Sequence, residues 1–238
     1  MVSLLLPWLG RPALQPLLNF LLLLAAVLPL HAQDQADPAA ADTPKETFQG
    51  EKIFLRDFGG DEVAYLAIPQ TAPSIGVVIA PDGQGLGPGV KRFSDALAAA
   101  GYLALAVDLT NGRIASTPEE AAALQAAIDP AVAAKALEAG LLFYEKSPRF
   151  RMDRVALIAF GASEAAALQL ARSKKGRAVG AVSLIDPASP GTEEGLRARL
   201  QRLHSSAPGR DWPAHIPALT AFWSSEETRK TWFERLVE

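Results

Sequence analysis

A chain of 238 residues with a formal net charge of −3 can bury one medium-sized core, and it carries no basic footprint, which excludes nucleic acid as the expected partner. It has no cysteine, which excludes disulfides, thiolate metal sites, a cysteine lipid anchor and a cysteine nucleophile together. Three histidines, His31, His204 and His215, are too few for a histidine-built metal centre, so no metal and no cofactor is expected.

Arg11 precedes the run "LLNFLLLLAAVLPLHA", which is too short and too proline-marked for a comfortable membrane span. Leu30-His31-Ala32 approximates a small-residue cleavage site. Residues 1–32 therefore read as a signal peptide, and the chain is expected to be exported, to the periplasm or beyond, with no membrane association after cleavage. Residues 33–50 begin "QDQADPAAADTPKE", polar and rich in alanine and proline, and read as a flexible leader. Residues 51–238 are expected to form one α/β domain.

From residue 51 the chain alternates between two periodicities. Runs of strand length and composition occur at "KIFLRDF", "EVAYLAI", "GVVIAP", "YLALAVDL", "RVALIAF", "AVGAVSLI" and "PALTAFW", and Gly59-Gly60-Asp61 between the first two reads as a hairpin turn. Helices are predicted between the later runs. "GPGVKRFSDALAAAG" carries Phe93, Leu97 and Ala100 at helical spacing and stops at Gly101. "TPEEAAAL" has Thr117 as N-cap, Pro118 at the first helical position and Glu120 to close a capping box. In "DPAVAAKALEAGLLFYEK" Asp129 is the cap, and Val132, Leu137, Leu141 and Tyr144 share a broad face. "EAAALQLARSKKG", "TEEGLRARLQRLH" and "EETRKTWFERLVE" complete the predicted helices. The middle one begins with acids and ends with bases, as the helix dipole favours. Alternating strands and helices predict a mostly parallel sheet covered on both faces.

The ordered series "VVIAPDGQGLGPGVKRFSDALAAAGYLALAVDLTNGRIASTPEEA", "DRVALIAF", "AVGAVSLI" and "IPALTAFW" resembles the dienelactone hydrolase family of α/β-hydrolases over roughly residues 60–228. The resemblance implies an α/β-hydrolase fold. It also implies acyl transfer by a nucleophile–histidine–acid triad with a backbone oxyanion hole, acting on a small ester, lactone or carboxylate. Asp82 matches the family's acidic residue after the third strand, where glutamate is usual; as a bare residue in "PDGQG" it reads equally as a turn former. Gly83 would then supply one oxyanion N–H, a role that needs only backbone. Arg113 lies near the family's basic substrate contact, though a solvated loop arginine is the simpler reading.

Fold alone carries no function, so the triad must be checked position by position. A nucleophile elbow reads Gly-x-nucleophile-x-Gly at a strand-to-helix turn, and "AFGASEA" at 159–165 allows two registers. In one, Gly161 stands at the nucleophile position, Ala162 follows as oxyanion donor, and Ser163 is a small packing residue. In the other, Ser163 is the nucleophile of a Gly-x-Ser-x-Ala turn. Spacing to the next strand favours Gly161, and glycine has no side chain with which to attack a carbonyl.

Glu226 lies where the family places its acid, but no histidine follows it; His204 and His215 both precede the last predicted strand. A chain continuing past Glu238 could restore a histidine but not a nucleophile. These residues predict a non-catalytic relative that binds a small ligand or a partner. The alternative is an active ester or lactone hydrolase using Ser163, with Glu226 or Asp82 and a repositioned histidine. Lack of the fold's last strand would also leave the edge beside "PALTAFW" open to pairing with a partner or a second copy.

Overall fold

The computed structural model describes residues 47–189, 192–205 and 211–237; the expected signal segment and most of the leader lie outside them. Strands β1 (Glu51–Phe54) and β2 (Val63–Ala67) pair antiparallel with Ile53 opposite Ala64. Gly59, at φ +86°, makes the turn between them. Five further strands follow, β3 (Gly76–Ala80), β4 (Leu103–Val107), β5 (Val155–Phe160), β6 (Val179–Ile185) and β7 (Arg199–Leu203). The sheet order is β1-β2-β4-β3-β5-β6-β7. From β4 across to β7 every pairing is parallel, so the carboxyl ends of five strands share one edge. Strands β3, β4, β5 and β6 are buried along their whole length, which explains their unbroken apolar runs.

Among the described residues there are six helices: α1 (Pro88–Ala99), α2 (Pro118–Ala126), α3 (Pro130–Lys146), α4 (Glu164–Arg172), α5 (Ile216–Ser224) and α6 (Glu226–Val237). One core packs α3 and α4 against one face through Leu137, Tyr144 and Leu168. The other packs α1, α5 and α6 against the opposite face through Phe93, Leu97, Trp223 and Trp232. This is the mostly parallel, doubly covered sheet that the alternation of elements implied, in the α/β-hydrolase arrangement that the resemblance implied. The expected caps form as well. Thr117 accepts from the Glu120 amide at 3.2 Å, and Asp129 accepts from the amides of Ala131 and Val132 at 2.8 and 3.1 Å. No helix among the described residues is long and apolar enough to cross a membrane.

Four details differ from the sequence-based expectation. "RLQRL", expected inside a helix, is strand β7, because its backbone completes the ladder on β6, with Ile185 opposite Leu203. "PALTAFW", expected as a strand, lies in α5, because Leu219 and Trp223, four residues apart, are both buried on one helical face. The open edge expected beside that segment therefore does not exist there, and β7 is the edge strand. Val132, placed on the buried face of α3, is 63% exposed.

The fourth concerns the leader. Residues 47–50 are tied to the domain: the Gln49 amide donates to Asp95 Oδ2 at 3.0 Å, and the Gly50 amide donates to the Tyr65 hydroxyl at 2.6 Å. Tyr65 in turn donates to Asp95 Oδ1 at 2.7 Å. Burial and this bond to Asp95 both push the Tyr65 hydroxyl far above its usual range.

Helix α6 seats its indole in a notch on β6. Trp232 is 2% exposed, donates Nε1–H to the Val155 carbonyl at 3.3 Å, and lies against Gly180, where a Cβ would overlap its ring. Gly180→Ala is therefore expected to lower the stability of the domain by about 1–3 kcal/mol, the usual cost of overpacking, read as a lower midpoint in urea unfolding.

Candidate active site

Strand β5 ends at Phe160, and the chain turns at once through a single 3₁₀ turn, Gly161–Ser163, into α4. Gly161 has φ +54°, the left-handed conformation that L side chains rarely adopt. The sharp bend of the elbow therefore falls on Gly161, even though the strand extends through Phe160. Ser163 lies further on, with helical backbone, φ −68°, and is 1% exposed. Its Oγ donates to the Pro81 carbonyl at 2.5 Å, so the hydroxyl locks the elbow to the end of β3 and faces no solvent.

The β3 end supplies the two residues that the resemblance marks for an oxyanion site. Asp82 is 6% exposed; its Oδ1 accepts from the Gln84 amide at 3.0 Å and its carbonyl from the Gly85 amide at 3.0 Å. This is the bonding of an Asx turn. Its Cβ lies 3.7 Å from where a Cβ on Gly161 would stand, so the acid and the elbow are in one place. Gly83 donates its N–H to Oε1 of Gln125 at 2.8 Å. The amide donor expected at the oxyanion position is thus occupied by a side-chain carbonyl from α2. The approach is tight: a Cβ on Gly83 would overlap the Ala121 carbonyl and reach 2.6 Å from the Gln125 nitrogen, so only glycine lets α2 settle there.

Of the other predicted residues, Ala162 lies in the elbow turn and the Arg113 backbone lies against Gly85, while Glu226 and His204 sit at other elements. Arg113 is exposed, and its backbone closes the β4 loop by bonding to Thr110. Glu226 opens α6 in the solvent and pairs with Lys230 one turn on, at 2.8 Å. Ala162 is exposed beside Gly161, and His204 is exposed at the end of β7.

Three polar residues that the sequence did not bring together meet at the same sheet edge. Asp186 follows β6, in register with the elbow through Phe160 opposite Ile185, and it has φ +50°. Its Oδ1 accepts from the Ser205 amide and its Oδ2 from the Ser205 hydroxyl, both at 2.6 Å. The same hydroxyl lies 3.2 Å from Nε2 of His215. Trp212, in the same 3₁₀ turn as His215, packs on the Phe160 ring at 4.0 Å between centroids, which holds that turn over the end of β5.

A fourth residue was missed as well. Glu164, one residue past Ser163, is 5% exposed. Its Oε1 accepts both the amide and the hydroxyl of Ser189, and its Oε2 has no partner among the described residues. Only an acid in the first turn of a tightly packed helix hinted at it. Among the described residues no three His, Asp or Glu side chains are grouped to hold a metal ion.

The profile of the dienelactone hydrolase family matches residues 63–194, more than half of the chain, and the chain belongs to that family. Among solved structures it is similar to the protein titled m3DLH, at 24% identity over 74% of this chain and 76% of that one, TM-score 0.50. It is similar to a dienelactone hydrolase from Anabaena variabilis, at 18% identity over 79% and 82% of the two chains, TM-score 0.51. A dienelactone hydrolase-like promiscuous phosphotriesterase, P91, from metagenomic libraries matches at 19% identity over 75% and 77%, TM-score 0.52. At these identities the likeness establishes the fold. No curated protein matches the sequence.

The two glycines at this edge answer to different constraints, and substitution separates them. Gly161→Ala meets only ordinary contact and left-handed strain, and is expected to cost about 1–2 kcal/mol, with hydrogen exchange in α2 unchanged. Gly83→Ala is expected to unseat α2, read as faster exchange across residues 118–126.

Proposed function

We propose that this chain is an exported dienelactone-hydrolase-fold protein whose elbow no longer performs acyl transfer, and that it acts as a binding module for a small carbonyl or carboxylate ligand. The observation that carries the reading is Gly161. The bend of the elbow falls on a residue with no side chain, so the step that opens every cycle of triad chemistry has no attacking atom. Ser163 is a poor substitute, since its hydroxyl is buried and already donates to Pro81. A triad acts as a unit; in the best-studied triad enzymes, removal of its members leaves only about 10³–10⁴-fold over water.

What the edge retains is a donor. Gly83 N–H holds the Gln125 side-chain carbonyl, a group chemically close to the carbonyl of a small ligand. Helix α2 buries only Leu124, so its seat is light, and a carboxylate or carbonyl competing for the amide would displace Gln125 at modest cost. Carboxylates strengthen such bonds, because the acceptor is charged.

The purified protein is expected to show steady-state hydrolysis of p-nitrophenyl acetate or of a simple lactone no faster than background, with Ser163→Ala leaving the rate unchanged. Sustained turnover abolished by Ser163→Ala would establish the hydrolase reading instead. Export rests on the N-terminal segment alone. N-terminal sequencing of protein recovered from outside the cytoplasm is expected to begin near Gln33; recovery of the uncleaved chain would remove that part of the reading.

A further inference from the structure

Ser205 is a second serine at the carboxyl edge, and its surroundings differ from those of Ser163 in the respects that govern reactivity. It is half-buried rather than enclosed, and its hydroxyl touches two titratable side chains instead of a backbone carbonyl. The carboxylate of Asp186 grips it at two points, amide and hydroxyl, both at 2.6 Å. The residue is thereby fixed in orientation, with its proton already aimed at Oδ2. Charge-assisted contacts of this length are strong, and a nucleophile within reach of a base is the arrangement that activates a hydroxyl. On its other side Nε2 of His215 stands at 3.2 Å. With the hydroxyl proton directed to Asp186, that nitrogen is the donor.

The backbone around the acid is also unusual. Asp186 is one of two described residues other than glycine with positive φ, and such outliers gather where a side chain must be aimed. The three residues come from the end of β6, the end of β7 and the turn before α5, and Trp212 pins that turn to the ring just before the elbow.

We propose that Ser205 is a nucleophile, with Asp186 as its base and His215 as a hydrogen-bond donor, and that it takes the acyl group of an activated carboxylic ester. In the step itself Oγ bonds to the ester carbonyl carbon as the Oγ–H bond breaks. The proton passes to Oδ2 of Asp186 and from there to the departing alkoxide or phenoxide oxygen, whose bond to the same carbon breaks. His215 Nε2–H, released from Oγ, donates to the oxygen on which negative charge develops. Asp186 ends as it began, a carboxylate, and the products are an acyl-serine and an alcohol or phenol. Asp186 and His215 remain beside the acyl-serine, so the burst reports the first acylation and any steady rate after it reports loss of the acyl group. The inference does not rest on the silence of the elbow, because Ser205 and Ser163 are separate hydroxyls with separate partners.

The test uses the full chain and p-nitrophenyl acetate in stopped flow, followed by peptide mapping of the acetylated wild-type protein. The expected result is a burst of about one equivalent of p-nitrophenol, as single-site acylation requires, with the acetyl group on Ser205. The burst should persist in Ser163→Ala and vanish in Ser205→Ala. Asp186→Asn should slow it by about 10²–10⁴-fold, the usual contribution of a general base, and His215→Ala should slow it less. Absence of a burst, an acetyl group mapped elsewhere, or an unchanged rate in a folded Asp186→Asn protein would overturn the proposal. Since the adduct is mapped on the wild-type chain, a Ser205→Ala protein that fails to fold does not hide the answer. Steady turnover lost in Ser163→Ala would refute the silent elbow while leaving the assignment of Ser205 untouched.

Discussion

Strand β5 is buried along all six of its residues, and it must turn into α4 without leaving the sheet edge uncovered. The left-handed bend at Gly161 accomplishes this within one residue, and the Ser163 hydroxyl fastens the bend to the end of β3. Those two features fix the neighbours. Asp82 is drawn against the elbow, α4 is aimed back along the sheet, and the next strand end, Asp186, falls beside it through the β5–β6 register. In a serine or cysteine hydrolase the same bend carries a side chain in a strained conformation, and the strain is part of how the nucleophile is presented. Glycine adopts the conformation without strain. A bend held for geometry alone favours glycine, whereas a bend held for attack requires a side chain and the stability that it costs.

The second glycine of the edge extends this reasoning. Gly83 has φ on the ordinary side, so conformational freedom does not explain it. It is required because α2 comes so close that a methyl group would meet the helix backbone. The close approach lets Gln125 reach the Gly83 amide, and an amide bonded inside the protein is not available to an oxyanion unless the helix moves. The proposed binding role rests on both: a glycine at the bend and an amide already bonded inside the protein.

Much of the fold was legible in the sequence, because its central strands are buried on both faces and read as unbroken apolar runs, while its helices carry strong caps at Thr117 and Asp129. The failures have a common physical origin in spacing that two structures satisfy. Leu200 and Leu203 are three apart, which on a helix places them together; on a strand they fall on opposite faces, and here they pack into opposite cores. Leu219 and Trp223 are four apart within an apolar run, compatible with a buried strand but used as one face of α5. Periodicity over a few residues cannot separate these cases, and tertiary pairing with β6 decides them. The site suffered more than the fold. Ser205 reaches Asp186 only because β7 is a strand in register with β6, so reading that segment as a helix removed any reason to bring the two together. His215 could not be assigned from the sequence, because only the fold brings it to Ser205.

The family profile ends at residue 194, just before the segment where the sequence reading failed and where β7, Ser205 and His215 lie. The boundary has a mechanical sense. From β2 to β6 the chain lies within the matched span, and there a glycine makes the bend, a serine fastens it and an aspartate closes a turn. Beyond β6 the chain completes the edge with a charged strand and a turn anchored by Trp212 on Phe160. Residues inherited with a fold are held first by packing, and their chemistry can be lost while the packing is kept. Asp186 lies inside the matched span and Ser205 and His215 beyond it, so the contacts of Ser205 join the end of β6 to a segment that the profile does not reach.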